Sequence, residues 1–166
     1  IPCAPYSELR NKREFIHSKS KFIESIIKTR RFGYDGKGQI SINKNTEFDE
    51  NISILLNEAI IEKKIPFDIE FSLVSCRDTF GNIIHFPLTE NIHENHILKH
   101  SYAPLELSQE LEDQAKEINS KILCELDHIG ILTVEFFKIK KSIIVNEIAP
   151  RVHNSGHWTI EGCSSS

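Results

Sequence analysis

From Phe67 to Asp78 the chain alternates: Phe67, Ile69, Phe71, Leu73 and Ser75 fall on one side of an extended strand, with Asp68, Glu70, Ser72 and Val74 on the other. Shorter β-branched runs predict further strands at FIESIIKT, ending near Lys28, at QISIN (39–43), at AIIEKKI before Pro66, and at IIHFPL after an FGN turn. Two more, GILTVEFFKI and SIIVNEIA, close the chain. Helical spacing is clearest over 108–127, where Leu111, Ala115, Ile118, Ile122 and Leu126 form a stripe behind Ser108 as cap and Glu110 and Glu112 in the first turn. Two shorter helices are predicted, one capped by Ser7 and running to about His17, the other over 46–58 with Ile52, Leu55 and Leu56 inward. Strands mixed with two or three helices, and hairpins through the middle, give an α+β fold with a largely antiparallel sheet. A hinge near 62–66 separates a small lobe, 1–65, from a larger one, 66–166.

Composition narrows the function classes. The 166 residues suffice for one good-sized core or two small lobes. A net charge of −4 and a pI near 6.1 argue against a broadly basic nucleic-acid surface. No apolar run approaches the roughly 20 residues that span a bilayer, and no signal-peptide pattern opens the chain, so a cytoplasmic location is expected, with no nucleic-acid or membrane partner. Cys3, Cys76, Cys124 and Cys163 lie far apart without a CxxC pair and are read as free thiols. The chain has no methionine and begins at Ile1, so missing pieces are expected at both ends.

Three patterns carry candidate chemistry. If KIKKS makes a three-residue loop from Lys140 to Ser142, Ile139 pairs with Ile143 and Glu135 with Glu147, their Cβ atoms roughly 5 Å apart. Two carboxylates so placed repel by about 3 kcal/mol at an effective dielectric of 20, and a magnesium ion would relieve that. A two-residue turn slips the register by one and puts the glutamates on opposite faces. The second pattern, GYDGKGQ (33–39), has three glycines between strands, with Lys28 before it and Lys37 within. It suits an anion cradle, but taken alone it reads more readily as a hairpin loop with DG turn chemistry and solvated lysines, and it lacks the GK[ST] ending of a Walker A motif. Third, IIEKKIPF offers a slot for a purine beside Glu62, with Glu70 placed for ribose hydroxyls; both glutamates also pass as ordinary surface residues. His93, His96 and His100 are read as solvent-facing residues of an Asn-rich loop and not as a zinc site.

Together, IIKTRRFGYDGKGQ, IEKKIPFDIEFSLV, FPLTENIH and VNEIAPRVHNSGHWT resemble, in order and spacing, the 5-(carboxyamino)imidazole ribonucleotide synthases, ATP-grasp ligases of purine biosynthesis. The resemblance implies an ATP-grasp fold truncated at both ends. It implies ATP and magnesium as cofactors, and 5-aminoimidazole ribonucleotide and bicarbonate as substrates, joined through carboxyphosphate. It implies ATP contacts at Lys28, Gly33, Tyr34, Asp35, Gly36, Lys37, Gly38, Gln39, Glu62, Lys63, Lys64, Ile65, Glu70, His93, Asn146 and Glu147. Substrate contacts are implied at Tyr34, Asp35, Lys37, Arg151, His153 and Asn154, catalytic roles at Lys28, Arg151 and His153, and metal ligation at Glu135 and Glu147. For Ser155 and His157, loop-tying hydrogen bonds are an equal alternative. Full-length members commonly form homodimers. Phe32 stands where the family usually has glycine, and the missing flanking portions imply little ligase activity for these residues alone. The competing reading is an inactive nucleotide-binding fragment, or a paralogue of another ATP-grasp ligase.

Overall fold

The computed structural model describes residues 1–31, 38–94 and 97–163. The chain divides into two compact units, one of Ala4–Ile65 and the other of Ile1–Cys3 with Pro66–Ser166.

In the first unit, strands β1 (Tyr6–Leu9), β2 (Glu24–Thr29), β3 (Gln39–Asn43) and β4 (Ala59–Lys63) form an antiparallel sheet in the order β1-β4-β2-β3. Helices α1 (Lys12–Lys21) and α2 (Glu50–Ile54) contribute Phe15 and Ile52 to a core with Leu9, Phe22, Ile27, Ile42, Ala59 and Ile61. Two expectations change here. Ser7 does not cap a helix; it pairs with Ile61 in β1. The helix begins five residues later because Asn11 and Glu14 form a stronger start signal: the Asn11 side chain accepts from Glu14 N (3.0 Å) and Glu14 Oε2 accepts from Arg10 N (2.7 Å). The helix expected over 46–58 shortens to α2. Asp49 caps it by accepting from Ile52 N (2.9 Å), and the chain soon leaves through Asn57, at φ 67°, whose N–H goes to Leu9 O (2.7 Å).

The second unit holds β5 (Ile69–Arg77), β6 (Ile83–His85), β7 (Thr89–Glu94), β8 (Ile97–Tyr102), helix α3 (Gln109–Glu125), β9 (Gly130–Ile139), β10 (Ser142–Ala149), a 3-10 turn at Asn154–Gly156 and the short α4 (Thr159–Gly162). Its sheet runs β10-β9-β5-β7-β8, with β6 on the end of β5. The N-terminal residues join it through Val145 N, which donates to Pro2 O (2.9 Å). One sheet face is apolar: Phe71, Leu73, Val134, Phe136 and Val145 pack with Leu111, Ala115, Ile118, Ile122 and Leu123 of α3, and Phe71 stacks on Phe136 at 5.1 Å. Buried Asn119 of α3 reaches across this joint to β5, donating to Leu73 O (2.9 Å) and Ser75 Oγ (2.8 Å).

Three details differ from expectation. Leu126 is exposed, because α3 has ended at Glu125. Ser108 caps α3 without a side-chain hydrogen bond; its carbonyl accepts from Leu111 N (3.0 Å). And 89–102 is not a loop but contributes β7 and β8, whose inward residues Thr89 and Asn91 are polar and so hide the strand period. Replacing Phe136 by alanine should cost about 3–5 kcal/mol in urea unfolding, the range for emptying an aromatic site in a core; a loss below 1 kcal/mol would mean that β9 and α3 do not share this core.

Candidate functional site

The opposite face of the larger sheet is polar, and its residues stand in register. Thr89 of β7 pairs with Ser72 of β5, Ser72 with Glu135 of β9, and Glu135 with Glu147 of β10. The last pairing arises in an unforeseen way. The β9–β10 turn has two residues, not three, so Ser142 pairs with Ile139, Ile144 with Phe137 and Val145 with Phe136. That register would have separated the glutamates, but a bulge between Val145 and Glu147 absorbs Asn146 and returns Glu147 opposite Glu135. The tight turn is propped from outside: Lys140 takes φ 53°, and Asp68 Oδ2 accepts its N–H (2.6 Å), which holds the Asp68 carboxyl below its usual pKa.

Beyond Pro150 the chain lies down on this polar face and is tied to it residue by residue. Thr133 Oγ1 donates to Arg151 O (3.0 Å) and accepts from His153 N (3.3 Å). Ser72 Oγ donates to Ser155 Oγ (2.9 Å), and Trp158 Nε1 donates to Thr89 Oγ1 (3.0 Å). Gly156 sits so close to β5 that a Cβ there would lie 2.8 Å from Val74 Cγ2.

This seating delivers His153 to the acids. Its Nδ1 is 3.2 Å from Glu135 Oε1 and 3.1 Å from Ser155 Oγ, and its Nε2 is 4.0 Å from Glu147 Oε1. Glu135 is 4% exposed, and its Oε1 also accepts from Asn91 Nδ2 (3.0 Å); the Glu147 side chain is 56% exposed. A second acid–imidazole pair lies alongside. His93 Nδ1 is 2.9 Å from Glu70 Oε2, without an aligned hydrogen-bond partner among the described residues, while Asn146 Nδ2 donates to Glu70 Oε1 (3.2 Å). Glu70, His93 and Glu135 offer ligand atoms all within 4.8 Å of one another.

Residues 1–166 match the family model of the ATP-grasp domain. The chain belongs to the ATP-grasp family. It is 38% identical over 167 residues to the N5-carboxyaminoimidazole ribonucleotide synthase of Escherichia coli (strain K12), a match covering 100% of this chain and 47% of that protein. Among solved structures, the ADP complex of purK, an N5-carboxyaminoimidazole ribonucleotide synthetase, superposes with a TM-score of 0.90 at 36% identity, over 100% of this chain and 45% of that one. The Aspergillus clavatus N5-carboxyaminoimidazole synthase, in complex with ADP and 5-aminoimidazole ribonucleotide, gives 0.85 at 28% identity, over 98% and 43%. The chain thus spans less than half the length of the curated relatives it matches.

Within this ATP-grasp chain the implied site residues fall into three groups. Glu70, His93, Glu135, Asn146, Glu147 and His153 meet on the polar face of the second unit. Arg151 and Asn154 flank it, both exposed; Arg151 Nη1 donates to Val152 O (2.7 Å). In the first unit Lys28 Nζ is 2.6 Å from Glu62 Oε1, Lys63 ends β4, and Lys64 Nζ lies 3.6 Å from Glu24 Oε2, next to Ile65. Gly38 there takes φ +75° where a Cβ would fall 2.6 Å from Thr29 Oγ1, and Gln39 pairs with Lys28. Gly33, Tyr34, Asp35, Gly36 and Lys37, with Phe32 and His96, lie outside the described residues. Reading the residues missed Asn91, Ser72, Thr89 and Thr133, which hold the acids and the covering loop. The alternation Thr89, Asn91, His93 was their one signal. Ser155 is buried and ties the loop down; His157 is exposed.

The donor set suits a hard divalent cation. Three carboxylates share one face, one of them buried, with an unaligned imidazole nitrogen among them, which fits magnesium's preference for oxygen ligands better than zinc's for nitrogen and sulfur. The acids in turn favour the charged form of the two imidazoles. Glu135's hydrogen bond, then the Glu135 and Glu147 charges, raise the His153 pKa against burial and Arg151; Glu70, first of all, raises that of His93 against burial. Because both folded-state values are raised, each contributes stability that is fully present below about pH 6.5 and lost as pH climbs through the raised value. Glu135→Gln should therefore bring the His153 midpoint down toward 6.5, about the ordinary imidazole value, as followed by its ring-proton resonances. A midpoint unmoved by that change would show that Glu135 is not its partner.

Proposed function

We propose that this chain is the nucleotide- and metal-binding part of an N5-carboxyaminoimidazole ribonucleotide synthase, which uses ATP to carboxylate 5-aminoimidazole ribonucleotide with bicarbonate in purine biosynthesis. The observation that carries the reading is the set of three carboxylates and two imidazoles on one sheet face, under a loop whose sequence is NEIAPRVHNSGHWT. Full-chain similarity to synthases of this name supports it.

The chemistry asks for charge neutralisation and alignment more than for covalent catalysis. A bicarbonate oxygen attacks the γ-phosphorus of ATP, the β–γ anhydride bond breaks, and ADP and carboxyphosphate result. The 5-amino nitrogen then bonds to the carboxyl carbon, phosphate leaves, and a proton is lost from nitrogen. Magnesium, held by Glu135 and Glu147, supplies positive charge to phosphate oxygens when bound. Lys28 offsets phosphate charge. Glu62 to Ile65 and Glu70 take the base and ribose, and His93 and Asn146 keep Glu70 in place. Tyr34, Asp35 and Lys37, with Arg151, His153 and Asn154, take the ribonucleotide and the carboxyphosphate. We further propose a cytoplasmic homodimer for the full-length enzyme, and nucleotide binding without turnover for these 166 residues alone.

In a full-length enzyme carrying this chain, Glu147→Gln should lower bicarbonate-dependent ATP cleavage by a factor on the order of 10² or more, with thermal unfolding little changed. Arg151→Ala should keep ATP affinity within about twofold, since it meets the other end of the reaction, while carboxylation falls by about 10²-fold. Unchanged ATP cleavage in the Glu147 variant sinks the assignment.

A further inference from the structure

Residue 158 is the chain's one tryptophan, and it stands at the far end of the loop that carries Arg151, His153 and Asn154. We infer that Trp158 and Thr89 are positioning residues whose hydrogen bond seats this loop and so keeps ATP cleavage coupled to carboxylation. The inference rests on the ligase reading and deepens it. The loop crosses the polar face strand by strand, held in turn by Thr133 of β9, Ser72 of β5 and Thr89 of β7. The last hold is the most sharply defined. An indole N–H can only donate, so the 3.0 Å contact from Trp158 Nε1 to Thr89 Oγ1 has one direction, wherever the hydroxyl hydrogen points.

The chain also closes on the ring from beyond. Gly162 N donates to Trp158 O (2.8 Å), and a Cβ on Gly162 would lie 2.9 Å from Trp158 Cε3, an approach that only glycine allows. Buried Thr159 donates to Gly156 O (2.8 Å), which joins this turn to the stretch lying against Val74. Thr89 is itself buried, at the end of the row Thr89, Ser72, Glu135 and Glu147, so the anchor belongs to the sheet that sets the acids. Neither residue touches substrate in this scheme; both act through Arg151, His153 and Asn154. A loop released at this end admits water to carboxyphosphate. One water molecule returns it to bicarbonate and phosphate, and ATP is then cleaved without product.

The test measures, in the full-length enzyme carrying this chain, the N-carboxylated product formed per ADP released. Trp158→Phe keeps a ring and removes the N–H; Thr89→Val keeps the shape and removes the acceptor. Each should lower that ratio about three- to tenfold, the effect of one lost hydrogen bond, with the ATP KM held within about twofold. The double variant should fall no further than the lower single one, because all three lack the same bond. Thr89→Ser, which keeps the oxygen, should restore the ratio. A merely structural loss lowers product and ADP together. An unmoved ratio therefore overturns the inference, as do additive losses in the double variant or a Thr89→Ser ratio as low as that of Thr89→Val. In the same proteins, amide hydrogen exchange across 152–157 should quicken several-fold in Thr89→Val, with β5 and β9 unchanged; unaltered exchange also overturns it. If Trp158→Phe does not fold, the two Thr89 variants decide. A folded wild-type enzyme that forms no carboxylated product defeats the ligase reading instead, and exchange still decides whether the bond seats the loop, so the two failures are distinct.

Discussion

Glu70, Glu135 and Glu147 stand on one face of a sheet whose other face is packed with Phe71, Phe136 and the α3 stripe, and their mutual repulsion is the constraint around which the second unit is arranged. A pair of carboxylates opposed on adjacent strands costs about 3 kcal/mol at an effective dielectric of 20. Glu135, at 4% exposure, has little water to soften that cost. The protein answers with two imidazoles and two amides: His153 and Asn91 on Glu135, His93 and Asn146 on Glu70. Those partners offset the charge only in part, because an amide brings no net charge and an imidazole at most one, against two for a divalent cation.

The same constraint explains the bulge and the covering loop. A regular two-residue hairpin would put Glu147 on the far face from Glu135; the extra residue at Asn146 puts it back, and Asn146 itself reaches Glu70. Bulges disrupt the ladder locally, so keeping one beside charged groups implies that the re-aimed side chain matters. The loop from Arg151 to Thr159 is anchored to Thr133, Ser72, Val74 and Thr89, all on the polar face. The sheet holds the loop at each of these points, and His153 is placed by them.

Much of the fold was legible. Wherever a strand or helix buried an apolar stripe, as in β5, β9, β10 and α3, its period of two or of three to four gave the element away. Legibility failed where the buried face is polar or where a distant residue supplies the turn chemistry. The strand β7 turns Thr89 and Asn91 inward, so it read as a loop although it supplies Asn91 and His93 to the site. The Lys140–Lys141 turn has no turn-forming residue of its own; Asp68, far along the chain, holds it tight. The facing of Glu135 and Glu147 was therefore anticipated through the wrong loop length, and two errors of one residue, in the turn and at the bulge, cancelled. The family resemblance named Glu70, His93, Glu135, Asn146, Glu147 and His153, which the fold brings together on one face, but spacing alone left the carboxylate pairing open.

The most direct measurement is an anomalous-difference map from crystals of this chain grown with manganese and ADP. A single peak about 2.0–2.2 Å from carboxylate oxygens of both Glu135 and Glu147, distances expected for a small hard divalent ion, is the predicted result. With ADP bound, a map that shows no ion at those two side chains would contradict the central claim that this acidic face is built to hold a cation.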